Sequence, residues 1–152
     1  MRLAVLCAVM LLAGPARAAD YASQQGAWIR NKAESKIPEG ITPSDAPMVV
    51  MQDNGTALRF VMFAMTETGL QPEITYEGAY DGKPYPYGKE GTRSFTHLSP
   101  TSFRTDWKSG EGVTVSELVT FNAANTKMRI EGKRTDAAGK VTDYVQVWDR
   151  LQ

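Results

Sequence analysis

Ser102-Phe103-Arg104-Thr105-Asp106-Trp107-Lys108, then Ser109-Gly110-Glu111-Gly112, then Val113-Thr114-Val115-Ser116-Glu117-Leu118-Val119-Thr120-Phe121, is the stretch that decides the fold. Apolar and β-branched residues alternate with polar ones on both sides of a glycine-rich turn, and a period of two marks a strand with one face buried. The pattern continues downstream. Asn122 to Asn125 lead into Lys127–Arg134, and Asp136 to Gly139 lead into Val141–Arg150. Upstream, the turns Asp53-Asn54-Gly55, Thr68-Gly69 and Asp81-Gly82 separate further runs: Gly26–Asn31, Met48–Asp53, Ala57–Glu67, Glu73–Tyr80 and Thr92–Leu98. Each turn supplies residues that tolerate positive φ or bond their own backbone.

Helices have no room between these elements, so the class is all-β. Strands joined by tight turns pair with their neighbours, and a long antiparallel up-and-down meander hides its two edges best by closing on itself. The expectation is a barrel of eight or nine strands, with a two-sheet β-sandwich as the alternative. Lys32 to Ala46, carrying Pro38, Gly40 and Pro43, lacks the period of two and reads as a crossing between the first two strands.

The chain has 152 residues with 17 Lys and Arg, 17 Asp and Glu, and one His. Without a basic surplus, nucleic acid is excluded as an expected partner. Residues 1–18 have the parts of a secretory signal: Met1-Arg2, an apolar run from Leu3 to Ala13, a Gly14-Pro15 break, and Ala16-Arg17-Ala18 before a cleavage site. This predicts a periplasmic or secreted protein whose residues 19–152 form one domain with no transmembrane segment. Removing Arg2 and Arg17 leaves 15 basic against 17 acidic residues, a net charge of −2. The sole cysteine, Cys7, lies within the leader, so the mature chain is expected to lack a disulfide, a thiolate nucleophile and a lipid anchor.

Alternation also assigns faces. With Arg59 outward, Leu58, Phe60, Met62 and Ala64 point in; with Glu77 outward, Ile74, Tyr76, Gly78 and Tyr80 do. Phe103, Thr105 and Trp107 face the core opposite Arg104 and Asp106, and Met128, Ile130 and Gly132 opposite Lys127, Arg129 and Glu131. Val61, Phe63 and Met65 then form an apolar row on the wet side, and the last strand has Val145 and Val147 on one face with Tyr144 and Trp148 on the other. Such surface calls for a cover: the 32–46 crossing, a partner in a homodimer, or both.

Gly26-Ala27-Trp28, with Asn31, Ser35 and Ile37, then Tyr80-Asp81-Gly82-Lys83-Pro84-Tyr85-Pro86 and a closing Val147-Trp148-Asp149-Arg150, resembles small secreted bacterial proteins of lipocalin-like (calycin) type over nearly the whole mature chain. The lipocalin part rests on Gly-x-Trp in the first strand and a late arginine able to lie over the indole. The resemblance implies that Trp28 and Arg150 close one barrel end while the cup binds a small hydrophobic molecule. The chain departs from lipocalins in having no disulfide and no clear C-terminal helix.

His97 is the only imidazole, so metal sites and relays that need two histidines are excluded, and no acidic cluster of the calcium-loop kind is present. No metal or cofactor is expected. His97, with a pKa ordinarily near neutral, is the first candidate for a general base, and Glu117 and Asp143 are the candidate acids. Glu117 shares a face with Val113, Val115, Val119 and Phe121, and Asp143 with Val141, Val145 and Val147. If those rows turn inward, two carboxylates meet a lumen and need a cationic partner; there they could run acid/base chemistry as a pair, or bind the polar head of a ligand together with Arg93. The preferred arrangement turns Leu118, Tyr144 and Trp148 inward and leaves both acids in water, since an ionised group in a barrel is costly without pairing. Tyr80, Pro84, Tyr85, Pro86 and Tyr87 read as a rigid aromatic loop, either a rim that gates the cup or a sticky patch for a protein partner.

The leading expectation is a binding module whose lumen holds a small hydrophobic molecule, walled by Phe60, Met62, Tyr76, Phe95, Phe103 and Trp107, with Arg93 or His97 as polar contact. The alternative from another class is a structural or interaction barrel with a filled core, docking through Val61, Phe63 and Met65. Third stands an isomerase or cyclase using His97 with Glu117 or Asp143.

Overall fold

A computed structural model describes residues 24–39, 41 and 46–152. The expected leader with Cys7, and Gly40 and Pro43 of the crossing, lie outside them. The strands are β1 (Gly26–Arg30), β2 (Met48–Asp53), β3 (Ala57–Thr66), β4 (Gly69–Ala79), β5 (Tyr85–Tyr87), β6 (Gly91–Ser99), β7 (Ser102–Lys108), β8 (Thr114–Phe121), β9 (Lys127–Thr135) and β10 (Val141–Arg150). All pair antiparallel in one sheet of order β4-β3-β2-β1-β10-β9-β8-β7-β6-β5. The first and last strands pair, so the meander wraps around, and its two free edges belong to the consecutive strands β4 and β5. Asp81 bridges to Thr96 beside that seam. The result is a nearly closed up-and-down barrel of ten strands.

The extra strand is β5. Pro84 and Pro86 make this segment read as a loop, because proline donates no ladder hydrogen bond. At a sheet edge that loss is tolerated, and Tyr85, Pro86 and Tyr87 pair with Arg93, Thr92 and Gly91. Tyr87 is buried in the core rather than set on a rim.

The turns form by the chemistry their residues carry. Asn122 Oδ1 accepts from the backbone of Thr126 at 2.8 Å and of Lys127 at 3.0 Å, with Asn125 in the left-handed region at φ 54°. Asp136 Oδ1 accepts from Ala138 and Lys140 in the same way.

Trp28 is fully buried against Phe121, with ring centroids 5.4 Å apart, and the Arg150 guanidinium stands 5.5 Å from the indole centroid. The two residues are cross-strand neighbours, which places the cation over the ring. The arginine over the indole that the resemblance implied is present. The other motif residues fasten the crossing. Asn31 donates its backbone N–H to Val147 and its side-chain amide to Asp149 at 2.7 Å, while the Ser35 hydroxyl accepts from Val147 N at 2.9 Å. Lys36 then pairs with Val145, and Ile37 and Ile41 pack beside Val115, Tyr144 and Trp107. The crossing thereby bonds the backbone of Val147, whose side chain is buried, and packs its own apolar residues beside the inward Val115 and Tyr144. It leaves Met65 66% exposed on β3.

Candidate functional site

One row of cross-strand neighbours, Thr105, Glu117, Gly132 and Tyr144, runs across β7, β8, β9 and β10. Gly132 carries no side chain, so the Tyr144 ring lies flat over it; a Cβ there would stand 2.1 Å from Tyr144 Cζ. The phenol thereby reaches past β9 and donates to Glu117 Oε1 at 2.6 Å. From the other side Arg93 donates through Nη2 to Glu117 Oε2 and through Nε to Thr105 Oγ1 at 2.8 Å. Glu117 thus has both oxygens satisfied while 5% exposed.

This corrects the preferred arrangement of the sequence analysis. The Val115, Val119 and Phe121 row points inward and takes Glu117 with it, whereas Leu118 faces out. Burial is sustained because a cation is paired to the carboxylate and a phenol bonds its free oxygen. On β10 the expected face does point in: Tyr144 and Trp148 are buried, and Asp143 lies outside near Lys133 at 3.7 Å with 78% of its side chain exposed.

The Arg93 guanidinium also stands 5.0 Å from the Tyr87 ring centroid, 5.3 Å from Phe95 and 5.6 Å from Phe60. Burial by itself would lower the Arg93 pKa, but the Glu117 carboxylate and neighbouring phenols outweigh it, and the net direction is upward. Burial, and then the Glu117 charge, push the Tyr144 pKa up, so it remains a donor. The cluster is a charge-neutral pair locked by two hydroxyls.

Arg93 and Glu117 open onto a lumen cavity of about 80 Å³, whose lining includes Phe60, Met62, Phe95, Phe103, Val119 and Trp148. Ligand pockets for drug-sized molecules are roughly 300–1,000 Å³. The space therefore admits a few non-hydrogen atoms as it stands, and not a lipid, quinone, terpenoid or porphyrin. Of the other wall candidates, Tyr76 is buried against Phe60 and Phe95, outside the cavity lining, and Trp107 packs against Tyr87 at 6.0 Å.

His97 is elsewhere. Its ring stacks on Tyr80 with centroids 3.6 Å apart, toward the Trp28 end, and Tyr80 donates to Asp53 Oδ2 at 2.6 Å beside the buried Gln24. Burial lowers the His97 pKa, opposed by the Asp53 charge, while burial and the Asp53 hydrogen bond raise that of Tyr80. His97, Glu117 and Asp143 do not share a site: one sits with Tyr80, one pairs with Arg93 inside, and one faces solvent. Sequence reasoning missed the Tyr144–Glu117 bond and the Asp53–Tyr80 bond. The signal available for the first was Gly132, a glycine in mid-strand on an inward row, which marks close approach by a neighbour.

On the outer face an open groove of about 950 Å³ is floored by Leu118 and Val145 and walled by Ile37 and Pro38. Among the described residues no group of three or more His, Cys, Asp or Glu gathers to hold a metal, and no helix is long and apolar enough to cross a membrane. The chain matches no protein-family model and no curated protein sequence.

Proposed function

We propose that the protein is a secreted or periplasmic binding module that takes one small, largely apolar molecule in its lumen and holds the polar end at Arg93. The location is supported by the composition of residues 1–18. The observation that carries the binding reading is the buried Arg93–Glu117 pair on the wall of a residual cavity. A barrel that only needed filling would gain as much from apolar residues there, since a buried ion pair is often matched or bettered by them. Native mass spectrometry of protein released gently from its own host tests the reading. The expected result is a mass increment of one small molecule, lost in Val119→Phe, which fills the cavity from a buried wall position. A bare mass in both proteins refutes it.

A second reading, an interaction barrel, is supported by the small cavity and by the outer groove, where Leu118 is exposed beside Val145. The same spectra report it as a dimer or a co-purifying chain with no small-molecule increment.

A further inference from the structure

The ionisable groups lining the cavity are the Arg93 guanidinium, the Glu117 carboxylate and the Tyr87 phenol. Nearby, burial pushes the Tyr76 pKa up to about 12 and raises that of Tyr144, so both stay neutral. The Gln146 amide oxygen accepts from Trp148 Nε1 at 3.2 Å. A guanidinium has five N–H donors. Thr105 and Glu117 take one each, the Tyr87 hydroxyl lies beside another, and the rest meet no acceptor among the described residues. The lumen therefore offers donors without offering net charge.

We infer that the lumen selects a small neutral molecule bearing one hydrogen-bond acceptor, such as a carbonyl, over a carboxylate of the same shape. This rests on the binding reading above. A carbonyl oxygen meets spare Arg93 N–H groups and brings no charge to desolvate. A carboxylate meets a cation already neutralised by Glu117, adds a second negative charge beside it, and must leave water for an apolar wall.

Butanone, propanamide and propanoate have the same number of non-hydrogen atoms and differ only in the group beside the carbonyl. Met62, Met128 and Ile130 line the cavity, so their methyl resonances read occupancy. At neutral pH butanone and propanamide are expected to shift these methyls saturably, with propanoate at least about tenfold weaker. In Glu117→Gln the Arg93 charge is no longer matched, and propanoate should gain at least about tenfold relative to butanone. If that variant does not fold, the three-ligand series on the wild-type protein decides alone. Propanoate binding as tightly as butanone overturns the selection by charge and leaves the lumen a binding site. Methyls unmoved by all three ligands overturn the binding reading itself, and the inference falls with it.

Discussion

Replacing Arg93 with methionine should strand Glu117 in the lumen. The Arg93 and Glu117 side chains are 14% and 6% exposed, which puts the pair with buried ion pairs rather than with surface pairs contributing about 0–1 kcal/mol. Removing one member of a buried pair leaves an uncompensated charge, at about 3–5 kcal/mol. Methionine keeps most of the apolar contact with Phe60, Tyr87 and Phe95, so the lost charge dominates. Tyr144 still donates to Oε1, which holds the effect to the lower part of that range. Replacing both residues, as Arg93→Met with Glu117→Leu, removes the stranded charge. It leaves a Tyr144 hydroxyl without its acceptor, a loss of about 1–3 kcal/mol. The double variant should therefore be no less stable than Arg93→Met alone. Urea unfolding at neutral pH, followed by tryptophan fluorescence, measures the wild type, both single variants and the double variant. A coupling energy under about 1 kcal/mol between the two substitutions would refute the claim that they form one buried unit.

Gly132→Ala should push the Tyr144 ring off β9 and break its bond to Glu117, destabilising by about 1–3 kcal/mol; unchanged unfolding and Tyr144 resonances would show that the glycine is not what admits the ring. Trp28→Ala should lose about 3–5 kcal/mol, since the indole is fully buried beneath Arg150; a loss under about 1 kcal/mol would mean that this end is not sealed by the pair. His97 has a folded-state pKa below its unfolded value of about 6.5, so the unfolded chain binds the proton more readily. Stability should accordingly fall as pH drops below about 6.5 and through the folded pKa, and His97→Gln should flatten that part of the profile. With no other imidazole in the chain, an imidazole titration by NMR at or above the unfolded value would contradict it.

All the strands except β5, with the turns between them, were legible in the sequence, because alternation and turn chemistry are local. Phe60, Tyr76, Phe103 and Met128 alternate with charged neighbours, and burial of one face leaves them a single direction to point. The contact between Trp28 and Arg150 was implied by the family resemblance that Gly26-Ala27-Trp28 and the late arginine carry. The facing of Glu117 was not legible. Its row read as apolar, but whether a carboxylate could go inside depended on Arg93, two strands away across β7, and on a phenol reaching over Gly132. β10 was ambiguous for a related reason: Tyr144, Gln146 and Trp148 are buried on one face and Val147 on the other, beside the place where Asn31, Ser35 and Lys36 fasten the crossing to the strand.

What the amino-acid order determined by itself was the class and the meander, since the side-chain period and the glycine, asparagine and aspartate turns act within a few residues of themselves. The tertiary structure decided the tenth strand, the burial of the Arg93–Glu117–Tyr144 cluster, the separation of His97 from both acids, and how much of the lumen stays empty. Each of these depends on groups far apart in sequence meeting across the barrel. A cavity of about 80 Å³ is a small difference between the volume that a closed sheet encloses and the volume that its inward side chains occupy, and neither volume exists until the strands have closed.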